Sequence, residues 1–158
     1  MNPVTTTRRG RCIVLALLAV LVLAVAACGG AQPTQTPVPS GPIELAGTKW
    51  LLIKYLSPDG ATFTVPAAIT PMAEFTADVM SGNAGCNTFS GGYVIDGDKL
   101  TLEPMSSTMK LCEEPIASVE NAYLAALGVV DKVAYLDNGN LQLWDSEGKT
   151  TLMFLKGN

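Results

Sequence analysis

The chain has 158 residues, 48% of them hydrophobic, with a formal net charge of −4 at pH 7 and no histidine. It therefore lacks one member of the Ser-His-Asp and Cys-His catalytic groups and of His-containing zinc sites. All three arginines, Arg8, Arg9 and Arg11, precede residue 28, and residues 28–158 carry seven lysines against fourteen acids. This balance argues against nucleic acid as a partner, because phosphate binding needs clustered positive charge.

The first 27 residues have the features of an export signal. The three arginines are followed by an unbroken apolar run from Ile13 to Ala27, which is the order of charged and apolar regions in a signal peptide. As a helix, this run would reach only about 22 Å, short of the roughly 30 Å hydrocarbon core of a membrane. We therefore expect residues 1–27 to be a removable signal rather than a membrane span.

The end of this signal predicts lipid attachment at Cys28. Val25-Ala26-Ala27-Cys28 resembles the bacterial lipobox, in which small residues enter the signal peptidase and the cysteine thiol carries the diacylglyceryl group. A cysteine with two or more acyl chains is anchored stably. The sequence thus predicts an extracytoplasmic lipoprotein on the cell membrane or the outer membrane, with the membrane as its first partner.

Residues 28–42 are predicted to be the lipidated cysteine and a tether. From Gly29 to Pro42 there is no charge, and Val38 is the one large apolar residue, so this segment cannot bury enough surface to fold. With its prolines it would extend up to about 40 Å at roughly 3.1 Å per residue. Residues 43–158 then suffice for one folded domain.

The folded part reads as short strands with one helical interruption. Asp96-Gly97-Asp98 predicts a tight hairpin turn. Ile116, Val119, Tyr123 and Leu127 have the three-to-four spacing of one helix face, which predicts a helix over 114–127. Strands are predicted at 50–56, 73–76, 79–84, 92–95, 99–102, 130–136, 141–144 and 151–155. This pattern favours an α+β, mainly β fold: a small antiparallel barrel or half-barrel of about seven or eight strands with the helix packed across it.

The glycine- and asparagine-rich stretch from Ser81 to Tyr93 is the least ordinary part of the sequence. Within it Ala84-Gly85-Cys86-Asn87-Thr88-Phe89-Ser90-Gly91 resembles the signature of the META domain, also called the HslJ-like domain. Gly47-Thr48-Lys49-Trp50 resembles the opening of that domain, 106–112 its second cysteine segment and 120–127 its helix. The signature residues of this sequence are Gly85, Cys86, Asn87, Phe89, Ser90 and Gly91.

The resemblance implies a compact β-barrel with a helix in an envelope or secreted protein, without established catalysis or cofactor. It also implies links to stress response, drug resistance, motility and virulence. We accordingly expect a monomeric, non-enzymatic module that binds an envelope protein or helps maintain the envelope. Two alternatives stay open: a carrier of a small apolar ligand or acyl chain inside the barrel, and a redox protein or enzyme that uses Cys86.

Cys86 and Cys112 are the two thiols of the predicted domain, and in an exported chain they are expected to form a disulfide. The alternatives are two reduced thiols, or one reactive cysteine without histidine or arginine to lower its pKa.

Three further sets of residues are weighed against simpler roles. Trp144 alternates out of phase with Leu141 and Leu143, which makes it the candidate contact for a partner. The aspartates Asp96, Asp98 and Asp137 offer too few ligands for calcium, so no metal site is expected. The aromatic residues are expected to fill the core rather than line a cavity; they are Trp50, Phe75, Phe89, Tyr93 and Tyr123.

Overall fold

The fold comes from a computed structural model that describes residues 42–157. The predicted signal peptide, the Cys28 lipid site and the tether up to residue 41 lie outside this range. Within it the chain forms ten strands and one helix: β1 Thr48–Leu56, β2 Thr62–Thr64, β3 Met72–Phe75, β4 Val79–Asn83, β5 Thr88–Asp96, β6 Lys99–Leu102, β7 Ser106–Ser107, α1 Ile116–Leu127, β8 Val130–Tyr135, β9 Leu141–Asp145 and β10 Thr150–Lys156.

Eight of these strands close into an antiparallel barrel. Their order is β1-β3-β4-β5-β6-β8-β9-β10, and β10 pairs back with β1. The closing pair runs from Trp50↔Lys156 to Tyr55↔Leu152, with a bulge between Leu52 and Lys54 that bends the strand, as bulges do in barrels. The predicted small antiparallel barrel with one helix is confirmed, and it is closed rather than half-open.

The barrel interior is filled by side chains. Along β1, Trp50 and Leu52 point inward and are 1% and 2% exposed, and Leu152 and Phe154 of β10 are fully buried. This alternation places one face of each strand in the core, as expected for a small barrel. The five aromatic residues predicted to fill the core are each at most 8% exposed, which confirms that prediction.

The helix begins directly after Pro115, and it packs against β1 and β10. Its buried face includes Val119, Tyr123 and Leu127, the residues whose spacing predicted it. It ends at Leu127, and the N–H of the following residue, Gly128, donates to the Ala125 carbonyl at 3.1 Å. Among the residues described, no helix has both the length and the apolar character needed to cross a membrane.

Apart from shifts of one or two residues at strand ends, the strands differ from the sequence prediction in two respects. β5 begins at Thr88 instead of residue 92, because β4 pairs with its whole first half, from Asn83↔Thr88 to Val79↔Gly92. β2 and β7, with three and two residues, were not predicted, because such short segments show no periodicity. Each of them pairs with one end of a longer strand: β2 with the C-terminal end of β1, and β7 with the N-terminal end of β5.

Candidate functional site

The signature begins in the tight connection between β4 and β5. Gly85 has a φ of +119°, a conformation that favours glycine. A Cβ there would lie 3.2 Å from a methyl of Ile69 and 3.3 Å from a methyl of Ile116. The side chain of Asn83 accepts a hydrogen bond from Gly85 N–H at 2.7 Å. The connection is therefore fixed locally and also packs against the start of the helix.

Asn87 is the centre of a buried polar cluster. Its side chain, in a residue that is 3% exposed, uses every polar atom within the fold. Oδ1 accepts from the Thr108 hydroxyl at 2.8 Å and from Lys110 N–H at 2.7 Å. Nδ2 donates to the Lys110 carbonyl at 3.1 Å and to Glu120 Oε1 at 2.7 Å. One side chain thus joins the signature to the segment after β7 and to the helix.

Glu120 is the buried acid of this cluster. It lies in the second turn of α1, is 7% exposed, and accepts a hydrogen bond from Asn87 N–H at 2.6 Å in addition to the one from Nδ2. The two ion pairs among residues 42–157, Lys49–Glu74 and Lys132–Asp98, do not include it. Amide donors alone therefore compensate its burial.

The predicted Cys86–Cys112 disulfide is present, with a Cα–Cα distance of 6.3 Å and a sequence separation of 26. Closing a loop of this length stabilises a fold by roughly 3 to 4 kcal/mol in the chain-entropy account. Asn87 Nδ2 lies 3.5 Å from Cys112 Sγ. The disulfide and the asparagine therefore fix the same segment, residues 108–115, which we call the 108–115 loop.

The 108–115 loop presents two large apolar side chains to solvent. Met109 is 96% exposed and Leu111 is 103% exposed, so nearly all of their apolar surface faces water. The backbone between them is held at Lys110, whose N–H and carbonyl both bond Asn87. Thr108 N–H also donates to the Thr88 carbonyl at 3.0 Å. The tip of this loop, residues 109–111, thus has exposed side chains but a fixed backbone.

The rest of the signature has structural contacts. Phe89 is buried, and its ring meets that of Tyr123 edge to face at a centroid distance of 5.5 Å. Ser90 is exposed on β5 opposite Ser106. A Cβ at Gly91 would approach Met105 Sδ within 2.5 Å. These contacts order the chain around β5.

Trp144 lies on β9 and, as predicted, does not share the face of Leu141 and Leu143. Its neighbours Leu141 and Leu143 are fully buried, whereas Trp144 is half-buried on the opposite face, beside Thr150 and Lys132. Its proposed role in partner contact stays a prediction. The aspartates Asp96, Asp98 and Asp137 are exposed at turns.

Sequence reasoning missed Glu120 and the exposed tip. A signal for Glu120 was present, since an acid sits inside the apolar helix face between Val119 and Tyr123. An acid in such a stripe indicates a buried polar partner. No comparable signal marked Met109 or Leu111, because their exposure depends on which backbone atoms the distant Asn87 holds.

Two surface clefts flank the C-terminal half of α1. One, of about 610 Å³, lies between the helix, the end of β1 and the β9–β10 turn, and Lys149 at its edge donates to the Gly60 carbonyl at 2.9 Å. The other, of about 400 Å³, lies between the helix and the segment after β6, with Leu102 and Met105 in its wall. Neither contains a signature residue.

Comparison with known proteins agrees with this architecture. The META domain matches residues 43–158. Among solved structures, the NMR structure of a protein from Burkholderia xenovorans is similar to this chain, with 26% identity and a TM-score of 0.61 over 81% of this chain and 98% of that one. No curated protein sequence matches significantly. With the family's domain matching from the first strand to the last, the chain belongs to the META domain family.

Proposed function

We propose that this protein is a lipid-anchored, non-enzymatic binding module of the cell envelope that recognises a protein partner through Met109 and Leu111. The observation that carries the proposal is the 108–115 loop, where two fully exposed apolar side chains flank a backbone fixed by Asn87 and the disulfide. A partner would present an apolar pocket to this tip.

The energetics favour such a contact. Burying a side chain of the size of leucine or methionine contributes about 1.5 to 3 kcal/mol. Association normally loses part of this gain to the ordering of loops and side chains. In this loop the N–H and the carbonyl of Lys110 are both hydrogen-bonded to Asn87. The backbone is therefore already ordered, and less conformational entropy is lost on binding.

The state of the signature supports a non-enzymatic role. The polar side-chain atoms of Asn87 are hydrogen-bonded within the fold, and Cys86 is in a disulfide. A catalytic group needs a free polar atom within reach of a substrate. The interior of the barrel is occupied by buried side chains, which likewise favours recognition at the surface over carriage of a ligand inside the barrel.

The anchor is proposed from the sequence. Acylated Cys28 would hold the protein at the membrane, and a tether of up to about 40 Å would let the domain reach a neighbouring envelope protein. Confinement to the same surface raises the effective concentration of such a partner.

The test is capture from native membranes with the lipidated protein as bait. The double variant Met109→Ser/Leu111→Ser removes the tip, and Val94→Ser, at a side chain that is 60% exposed on β5, is the matched control. Both changes are at the surface and should alter the free energy of unfolding by about 0.5 kcal/mol or less per site. A Trp144→Ala bait tests the second predicted contact.

We expect a partner that the wild type and Val94→Ser capture and the double variant loses. Equal capture by the wild type and the double variant would contradict the proposed surface. Loss with Trp144→Ala alone would move the contact to β9.

A further inference from the structure

The disulfide and the buried acid lie together at one point of the fold. Cys86 Sγ, Cys112 Sγ and a carboxylate oxygen of Glu120 are all within 4.8 Å of one another. They come from three separate elements: the β4–β5 connection, the 108–115 loop and the second turn of α1. A disulfide does not need a buried carboxylate beside it, because the carboxylate takes no part in the sulfur–sulfur bond.

We propose that Cys86, Cys112 and Glu120 form a site for a thiophilic divalent cation, such as Zn²⁺ or Cd²⁺, when the disulfide is reduced. Two thiolates and one carboxylate are an accepted donor set for such ions. The fourth position would be open to water.

The distances suit this coordination. In a tetrahedral site with metal–sulfur bonds of about 2.3 Å, neighbouring ligand atoms are roughly 3.5 to 3.8 Å apart. After reduction the two sulfurs need only separate from their bonded contact, and the carboxylate oxygen is already within 4.8 Å. No strand of the barrel has to move, since Cys86 and Cys112 are both in connecting segments.

The charges also favour a cation. Two thiolates beside the Glu120 carboxylate would place three negative charges in a partly buried pocket, and no lysine pairs with Glu120 among residues 42–157. Asn87 would support the site from outside, because it already donates to the carboxylate at 2.7 Å and has Nδ2 3.5 Å from Cys112 Sγ. Such outer hydrogen bonds orient metal ligands.

The chemistry balances in two steps. An external dithiol reduces the Cys86–Cys112 bond by exchange, so that two electrons pass to the protein sulfurs and the dithiol becomes a disulfide. The cation then takes one electron pair from each sulfur and one from the carboxylate, and the two thiol protons leave to water. The bound ion would link the same three elements that meet around the disulfide.

The test uses the full chain with Cys12→Ser and Cys28→Ser, so that Cys86 and Cys112 are its only thiols. A phosphine reduces the disulfide, becoming a phosphine oxide with an oxygen from water, and is removed without air. Cd²⁺ is then titrated while the thiolate-to-cadmium charge-transfer absorption and the near-ultraviolet circular dichroism are recorded. The oxidised chain is the first control, and Glu113→Gln, next to Cys112 but exposed, is the matched variant.

We expect one Cd²⁺ per reduced chain and none per oxidised chain. Glu120→Gln should weaken binding at least about tenfold, and Glu113→Gln should leave it unchanged. If reduction alone unfolds the domain, Cd²⁺ should restore its circular dichroism.

The proposal is overturned if the reduced chain shows no charge-transfer absorption, or if Glu120→Gln binds as tightly as the wild type. Should the Gln variant not fold, Glu120→Asp keeps the carboxylate and must bind within about tenfold of the wild type. Failure of Glu120→Asp to bind would then also overturn it.

Discussion

The hydroxyl of Tyr123 provides a test in which the sign of the effect is decisive. This residue is fully buried, and its hydroxyl has no hydrogen-bond partner among the residues described. Its ring packs against Phe89 and Phe154 at centroid distances of 5.5 and 6.0 Å. Tyr123→Phe would keep the ring contacts and remove only the unpaired hydroxyl.

Two opposing terms set the magnitude. A buried polar group without a partner costs about 1 to 3 kcal/mol of folding free energy. Removing its oxygen leaves a small gap that costs at most about 1 kcal/mol. We therefore expect Tyr123→Phe to stabilise the domain by about 1 kcal/mol, which corresponds to roughly 4 °C in Tm for a domain of this size.

The assay is equilibrium unfolding in guanidinium chloride, with Tm by circular dichroism. The midpoint should rise in Tyr123→Phe at an unchanged denaturant slope. Tyr93→Phe is the matched control, because the Tyr93 hydroxyl donates to the Thr76 carbonyl at 2.7 Å. Its loss should destabilise the domain by about 1 kcal/mol. Equal destabilisation of the two variants would mean that the Tyr123 hydroxyl has a partner, and the expected gain would be refuted.

Three further outcomes are expected. Burial, and secondarily the charge of Glu44, raises the pKa of Tyr93 and Tyr135 above the usual value of about 10. The unfolded chain therefore ionises first, and the free energy of unfolding should fall as pH rises above about 10. A denaturation midpoint unchanged between pH 8 and 11 would contradict this. Gly82→Ala should lower the free energy of unfolding by at least about 2 kcal/mol, because its Cβ would overlap the Met72 carbonyl oxygen. Gly92→Ala should lower it by under about 1 kcal/mol, because its Cβ would meet the end of the exposed Glu103 side chain, which can move. Equal unfolding midpoints for the two variants would contradict this packing. Cys28→Ala should lose the acyl label that the wild type acquires when cells are fed a labelled fatty acid, and equal labelling of the two proteins would exclude Cys28 as the lipid site.

The fold could be predicted from the sequence because its signals are local. The spacing of Ile116, Val119, Tyr123 and Leu127 specified the helix, and Asp96-Gly97-Asp98 specified a turn that the structure has between β5 and β6. Closure of the barrel could not be predicted with the same means. It depends on β1 meeting β10, about a hundred residues later, and hence on the twist accumulated over all the strands between.

The site could be predicted only in part. The signature directed attention to Cys86 and Asn87, and the disulfide was expected from export and thiol count. That Asn87 binds Glu120, 33 positions away, rests on where the helix crosses the barrel, which no local pattern contains. The exposure of Met109 and Leu111 is a further consequence, since the asparagine holds the backbone between them.

Binding through the 108–115 loop requires that the signature asparagine hold the loop backbone while its side chains stay exposed. Amide hydrogen exchange at Lys110, measured by NMR, reports directly on this contact, because the N–H donates to Asn87 Oδ1 at 2.7 Å although its loop is exposed. We expect slow exchange at Lys110 in the wild type and fast exchange in Asn87→Ala with its disulfide intact. Exchange in the wild type at the rate of an unstructured peptide would show that Asn87 does not hold the loop.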